Sequence, residues 1–286
     1  MPEQHEREER ILLEKEVRRL RQRLTAVSSP LEVILRRRGF RVLLKGPAED
    51  LLISPKRFIS DFYLMLGRYS FRLFLRDVIK HQEFFTRDMV TRYASAEVTG
   101  QYIEYLASVR LVAKRGGGYA VAGKRIRSFG ETLEWYVAEI LKREFSAEVV
   151  WGVKFKGRKT GGDYDVIAKL DAELCYIEVK SSPPKQIYDS EIAAFLDRVD
   201  DLSPGVAMFF MDTELRMKDK IVPMFETELA RRKKRDVPVV RVEKEIFHIG
   251  RRIYIINAKG GIAGNMQNVL SRYFRDSYFS GEFGGK

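Results

Sequence analysis

The stretch GGDYDVIAKLDAELCYIEVKSS, residues 161–182, limits what this chain can fold into more than any other. Apolar and charged residues alternate on both sides of Asp171-Ala172 with the period of two that a β-strand imposes. A hairpin closed at that dipeptide sets Ile167 opposite Tyr176, Asp165 opposite Glu178 and Asp163 opposite Lys180. One face then carries Tyr164, Val166, Ala168, Leu170, Cys175, Ile177 and Val179 and reads as core. The other gathers Asp163, Asp165, Glu178 and Lys180. A half-exposed hairpin would leave those charges in water. A buried one opposes two carboxylates, which repel unless positive charge lies between them. Hard carboxylate oxygens suit Mg²⁺ or Mn²⁺ in that place.

The flanking sequence supplies matching elements. SFGETLEWYVAEILKREF predicts a helix over about 130–145, capped at Ser128 with Glu131 three residues on. Leu133, Val137, Ile140 and Leu141 form its apolar stripe, and Glu134 borders it, where a carboxylate needs a partner, a metal or solvent. EVVWGVKF (148–155) adds a strand before the hairpin, and a helix (about 188–202) and the strand GVAMFFMD (205–212) follow it.

Glu134 on a first helix, Asp165 in GGDYDVIA and Glu178-Val179-Lys180 in YIEVKSS resemble the PD-(D/E)xK nuclease superfamily, the restriction-endonuclease-like fold, over residues 128–212. Tyr164 stands where the motif name has proline. The resemblance implies an α/β unit, a mixed sheet flanked by helices, that cleaves DNA phosphodiesters with Mg²⁺ (or Mn²⁺), as an endonuclease rather than an exonuclease. By the same resemblance Asp165, Glu178 and the Val179 carbonyl bind the metal, and Glu134 completes its shell or holds a second cation. Lys180 then orients or activates the attacking water. Asp163, on the same face, competes with Asp165 for the strand-acid role. Gln186 lies where some subfamilies place a helper, though a loop position explains it as simply.

Upstream, Leu13, Val17, Leu20, Leu24 and Val27 predict a helix over residues 8–28, too short to establish a coiled coil. A short helix (31–38), a candidate strand (41–44) and a long helical region (56–81) precede a helix at 85–93, a turn at Ala94-Ser95 and a helix at about 96–109. Two short strands around Arg115-Gly116-Gly117-Gly118 complete the series, the glycines suiting a tight turn. Helix, turn, helix and basic hairpin together resemble a winged helix-turn-helix unit over roughly 60–125. That resemblance implies a reading helix with Thr99, Gln101 and Tyr102 near its start and a wing with Lys114 and Arg115 on phosphate. Glu97 and Glu104 make the helix less basic than a strong reader, and such units also serve dimerisation, so a homodimer stands beside DNA among the expected partners.

Charge supports the DNA reading by its placement. The chain has 52 Lys and Arg against 40 Asp and Glu, a formal +12. Between Glu104 and Glu131 there is no acid, but there are Arg110, Lys114, Arg115, Lys124, Arg125 and Arg127. Lys154, Lys156, Arg158 and Lys159 form a second basic run, and RRKKR (231–235) a third. The single Cys175 excludes intramolecular disulfides and cysteine zinc sites, and three scattered histidines give no support to a histidine metal site or a Ser-His-Asp triad. No apolar run approaches ~18 residues and the charged N-terminus lacks a signal-like stretch, so a cytoplasmic protein without membrane spans is expected. The expected organisation is an N-terminal helix (1–29), a winged-helix-like DNA-binding unit (30–127) and a nuclease-like unit (128–286). A nuclease-like scaffold without activity, or an RNA-directed enzyme, remains open on sequence alone.

Overall fold

The computed structural model describes residues 29–41, 49–156, 163–233 and 237–282, side chains of the last segment to Asp276, together with Leu13, Glu16 and Arg19. Leu13, Glu16 and Arg19 are helical; the rest of the expected helix over 8–28, the candidate strand beyond Arg41, and Arg158 and Lys159 lie outside the described residues. The chain is α/β. Its helices are α1 (Leu31–Arg37), α2 (Ile59–Leu66), α3 (Tyr69–Lys80), α4 (Arg87–Val90), α5 (Ala96–Ser108), α6 (Gly130–Phe145), α7 (Asp189–Leu202), α8 (Ile221–Lys233) and α9 (Ile262–Glu282). The strands are β1 (Val112–Arg115), β2 (Gly118–Val121), β3 (Glu148–Val153), β4 (Tyr164–Leu170), β5 (Glu173–Lys180), β6 (Val206–Met211), β7 (Val240–Glu243), β8 (Ile246–Ile249) and β9 (Ile253–Asn257).

Seven strands form one mixed sheet in the order β3-β4-β5-β6-β9-β8-β7. β3, β4 and β5 are antiparallel neighbours, β6 runs parallel to β5 and to β9, and β7 and β8 complete an antiparallel edge. The expected hairpin register is present from Leu170–Glu173 to Val166–Ile177, with Ile167 paired to Tyr176, but the expected Asp165–Glu178 and Asp163–Lys180 pairs lie beyond the ladder. Val166, Ala168, Cys175, Ile177 and Val179 pack with Leu133, Val137, Ile140 and Leu141 of α6 and with Met266, Val269 and Leu270 of α9. Ile167, Leu174 and Tyr176 belong to the opposite core, with Leu31 and Leu35 of α1, Ile192 and Phe195 of α7 and Phe225 of α8. Tyr164 departs from the expected alternation. Its ring lies in this second core beside Phe155 and Tyr176, and its hydroxyl donates to Asp201 Oδ2 at 2.8 Å. Helix α1 also sits on the sheet: Leu31 N–H donates to Glu148 Oε2 at 2.8 Å and Arg38 to the Ser203 carbonyl at 2.9 Å.

The helical residues 56–81 divide at Gly67. A short 3-10 turn (Lys56–Phe58) leads into α2, whose last carbonyls, of Leu66 and Gly67, accept from the Arg72 guanidinium at 2.6 and 3.2 Å. That side chain gives the C-terminal carbonyls the partners a continuing helix would have supplied. Helix α4 is shorter than the expected 85–93, because Phe85 is drawn into a bridge with Tyr119 of β2. Ser95 caps α5 as expected, accepting the Val98 N–H at 3.2 Å. At the hairpin tip Gly116 has φ +55°, and a Cβ on Gly118 would lie 2.5 Å from the Phe85 carbonyl oxygen, so both positions need glycine.

Buried residues from Leu52 to Phe129 form one continuous core with α6, α9 and the sheet. The junction contains a buried ion cluster. Asp212, just past β6, takes Arg72 Nε on Oδ1 at 2.9 Å and Arg76 Nη2 on Oδ2 at 2.5 Å. Arg72 and Asp212 are fully enclosed. The Asp212 N–H also donates to the Lys180 carbonyl at 2.8 Å, so α3 is tied to the strand end that carries the acidic motif. Among the described residues no helix is long and apolar enough to cross a membrane.

Candidate active site

The charged end of the β4–β5 hairpin is where the two strands part. The ladder reaches Val166–Ile177, and beyond it the Val179 N–H donates to Asp165 Oδ2 at 2.7 Å instead of to backbone. Tyr164 turns toward Asp201 of α7, and the Asp165 carboxylate joins the two strands through the Val179 N–H. Burial, then Glu178, then Glu134 push its carboxyl well above the usual range, opposed by the Val179 N–H and Lys180. Glu134, half-buried on α6, thus shares an electrostatic site with the two strand acids.

Glu178 is buried and engaged on both oxygens. Arg198 of α7 reaches Oε1 and Oε2 at 3.1 and 2.9 Å, Lys180 Nζ lies 2.9 Å from Oε1, and the Tyr176 hydroxyl donates to Oε2. Lys180 also meets Glu191 Oε1 at 3.2 Å, while Glu191 Oε2 accepts the Tyr188 N–H at 3.0 Å and caps α7. Burial works against the Lys180 charge, but Glu178, Asp165 and Glu191 outweigh it and hold the ammonium above its ordinary value. Lys180 is therefore a cation at neutral pH. The phenol of Tyr176 is pushed well up by burial and by Glu178 and Asp165, so it remains a donor.

Tyr176, Glu191 and Arg198 were not among the sequence expectations. Arg198 had a signal, falling with Phe195 and Leu202 on the 3- and 4-spaced stripe that α7 buries. Tyr176 shares the strand face of Glu178 two residues away.

Asp163 is placed differently from Asp165, half-exposed and paired with Lys154 Nζ at 3.2 Å. Gln186 is exposed in the 3-10 turn Pro184–Gln186. Among the described residues no group of three or more His, Cys, Asp or Glu side chains is arranged to hold a metal ion. The donor types nonetheless suit a hard divalent cation, since Glu134, Asp165, Glu178 and Glu191 outnumber Lys180 and Arg198 around this point.

An aspartate whose folded-state pKa is raised stabilises the fold most below the ordinary carboxylate range, and that advantage is lost as pH rises through the raised value. Asp165→Asn keeps an acceptor for Val179 and removes the charge. It is expected to raise the thermal midpoint of the cation-free protein near neutral pH, whereas Asp163→Asn, which leaves Lys154 unpaired, is not. Thermal denaturation at pH 7 in chelator checks this; a lower midpoint for Asp165→Asn would contradict it.

Of the expected DNA-binding residues, Gln101, Arg110, Lys114, Arg115, Lys124 and Arg125 are exposed, with Arg115 donating to the Glu83 carbonyl at 3.0 Å. Thr99 and Tyr102 are buried and face the core of the helical unit, so they do not form a reading surface. Lys154 and Lys156 are exposed. In the third basic run, Arg231 and Arg232 are committed to Glu228, and Arg232 also to Asp197 at 2.7 Å.

No protein-family model matches the sequence, and no curated protein matches it either. Among solved structures the chain is similar to Can2 from Sulfobacillus thermosulfidooxidans, in complex with cyclic tetra-adenylate, at 13% identity and a TM-score of 0.46, over 77% of this chain and 57% of that one. It is similar to protein VC1899 from Vibrio cholerae at 16% identity and a TM-score of 0.42, over 83% of this chain and 59% of that one. The chain thus spans less than two thirds of either neighbour.

Proposed function

We propose that this protein is a divalent-cation-dependent nuclease acting on DNA, its chemistry performed from Ser128 onward and its substrate engaged in part by the helical unit before it. The observation that carries this reading is Asp165, held at the strand divergence by the Val179 N–H between Glu178 and Glu134, with the Lys180 ammonium alongside. Asp165 and Glu178 would hold Mg²⁺ or Mn²⁺, with the Val179 carbonyl and Glu134 as further ligands. Such a cation, when bound, neutralises charge on a scissile phosphate and acidifies the attacking water. Lys180 serves as a fixed positive charge for a phosphoryl oxygen rather than as a base, because its neighbours keep it protonated. Arg198 and Tyr176 orient Glu178, and Glu191 orients Lys180. The panel that tests the reading is Mg²⁺- or Mn²⁺-dependent cleavage of duplex, single-stranded and branched DNA and of RNA; no cutting of any substrate would contradict it.

A second reading has its own support. Both Glu178 oxygens are already taken by cations and a phenol, as they would be in a DNA-binding protein whose nuclease-like sheet is a scaffold. Mn²⁺ calorimetry separates the two, since the scaffold has no differential affinity that Asp165→Asn could remove.

Binding by the wing is testable by itself. The paired change Lys114→Ala, Arg115→Ala is expected to weaken duplex binding and to shrink the slope of log affinity against log salt by up to ~1 for each phosphate no longer neutralised. Binding isotherms across a salt series measure it, and an unchanged slope would point to a helical unit used for protein association, including a homodimer.

A further inference from the structure

The turn of the β8–β9 hairpin, at the end of these strands remote from Asn257 and from the carboxylate site, holds a second polar cluster. His248 and Tyr254 are cross-strand partners, their rings 6.1 Å apart, beneath the C-terminal half of α9. His248 is 9% exposed and Tyr254 0%, yet His248 Nδ1 and the Tyr254 hydroxyl are buried without a hydrogen-bond partner, as is Arg272 Nε of α9. Buried polar atoms are nearly always paired, so orphans from three elements at one place mark a position where something polar belongs. Arg251, in the turn, and Arg272 approach the same oxygen, Asp276 Oδ2, at 3.9 and 4.0 Å. Both distances are at the limit of an ion pair, and neither guanidinium donates a hydrogen bond to any described residue. The adjacent Arg252 is different, its donors spent on the carbonyls of Gly205 and Pro204 at 3.3 and 2.7 Å.

We infer that this cluster is a phosphate-binding site, with Arg251 and Arg272 supplying charge at its mouth and Tyr254 and His248 donating from its floor. Among the described residues two guanidiniums outweigh the one carboxylate, Asp276, and the orphan hydroxyl, Nε–H and imidazole are all able to donate to oxyanion oxygens. A cation is disfavoured in the same place. Burial is the main cause that depresses the His248 imidazolium, and Arg272 and Arg251 lower it further against Asp276. The site is independent of the nuclease reading and stands whether or not Asp165 and Glu178 support catalysis. Its phosphate could come from a free phosphomonoester or from a nucleic-acid backbone.

The test uses the full chain carrying Lys180→Ala, so that the carboxylate site does not contribute, titrated with inorganic phosphate by calorimetry and by the His248 ring resonances. Saturable binding that raises the His248 pKa is expected. Arg251→Gln with Arg272→Gln should weaken it at least about tenfold, and Tyr254→Phe a few-fold. Competition by a short duplex lacking terminal phosphates would identify a backbone ligand; competition only by a 5′-mononucleotide would identify a free one. Absence of saturable phosphate binding, or binding unchanged in the double arginine variant, would overturn the inference.

Discussion

Replacing Asp212 with alanine is expected to cost about 3–5 kcal/mol of folding stability, the magnitude seen when one partner of a buried ion pair is removed. Arg72 is enclosed and Arg76 mostly so, and both lose their carboxylate together, leaving uncompensated guanidiniums at the junction of α3 with the end of β6. Arg72 would retain its bonds to the Leu66 and Gly67 carbonyls, which offset only part of the desolvation. In a chain of this size the thermal midpoint should drop on the order of 10 °C. Arg36→Ala is the control, because its pair with Glu32 at 3.2 Å is exposed on both sides and should change nothing measurable. A wild-type midpoint for Asp212→Ala would mean that the helical unit and the sheet are not held together by this cluster.

The largest functional effect is expected at Lys180. Its removal leaves Glu178 with Arg198 and Tyr176, so the fold survives, and the substrate loses the charge meant for its phosphoryl oxygen. Cleavage by Lys180→Ala should fall by at least about 10²-fold, the scale of removing one preorganised electrostatic donor. Glu178→Gln should be as damaging but is harder to interpret, since it also removes the carboxylate charge that the half-buried Lys180 and Arg198 share, leaving Lys180 with Glu191. Arg198→Lys gives the intermediate case, preserving charge while displacing the single Nη1 donor that both Glu178 oxygens share.

The sheet core was legible because a strand's period of two leaves little freedom. Once Asp171-Ala172 is the turn, Ile167 must meet Tyr176, and it does. What alternation could not reveal is the exception at Tyr164, where burying a ring against Phe155 and reaching Asp201 outweigh the regular pleat. Partners distant in sequence were equally hidden. Nothing near Asp212 announces Arg72, 140 residues earlier, and Arg198 acquires meaning only when α7 is laid across β5. The basic runs were visible as composition, but composition does not distinguish Arg231 and Arg232, spent on Glu228, from the exposed Lys114 and Arg125. The reading helix failed for a related reason. Thr99 and Tyr102 have the chemistry to meet base edges, and the stripe that buries α5 includes both.

Single-turnover cleavage of a labelled duplex, with Mg²⁺ or Mn²⁺ and with chelator, by the wild-type chain and by Lys180→Ala bears most directly on the assignment of this site. Cation-dependent cutting by the wild type, slowed at least about 10²-fold in the variant with its thermal midpoint and duplex affinity retained, is the expected result. Cutting by Lys180→Ala at the wild-type rate would contradict it.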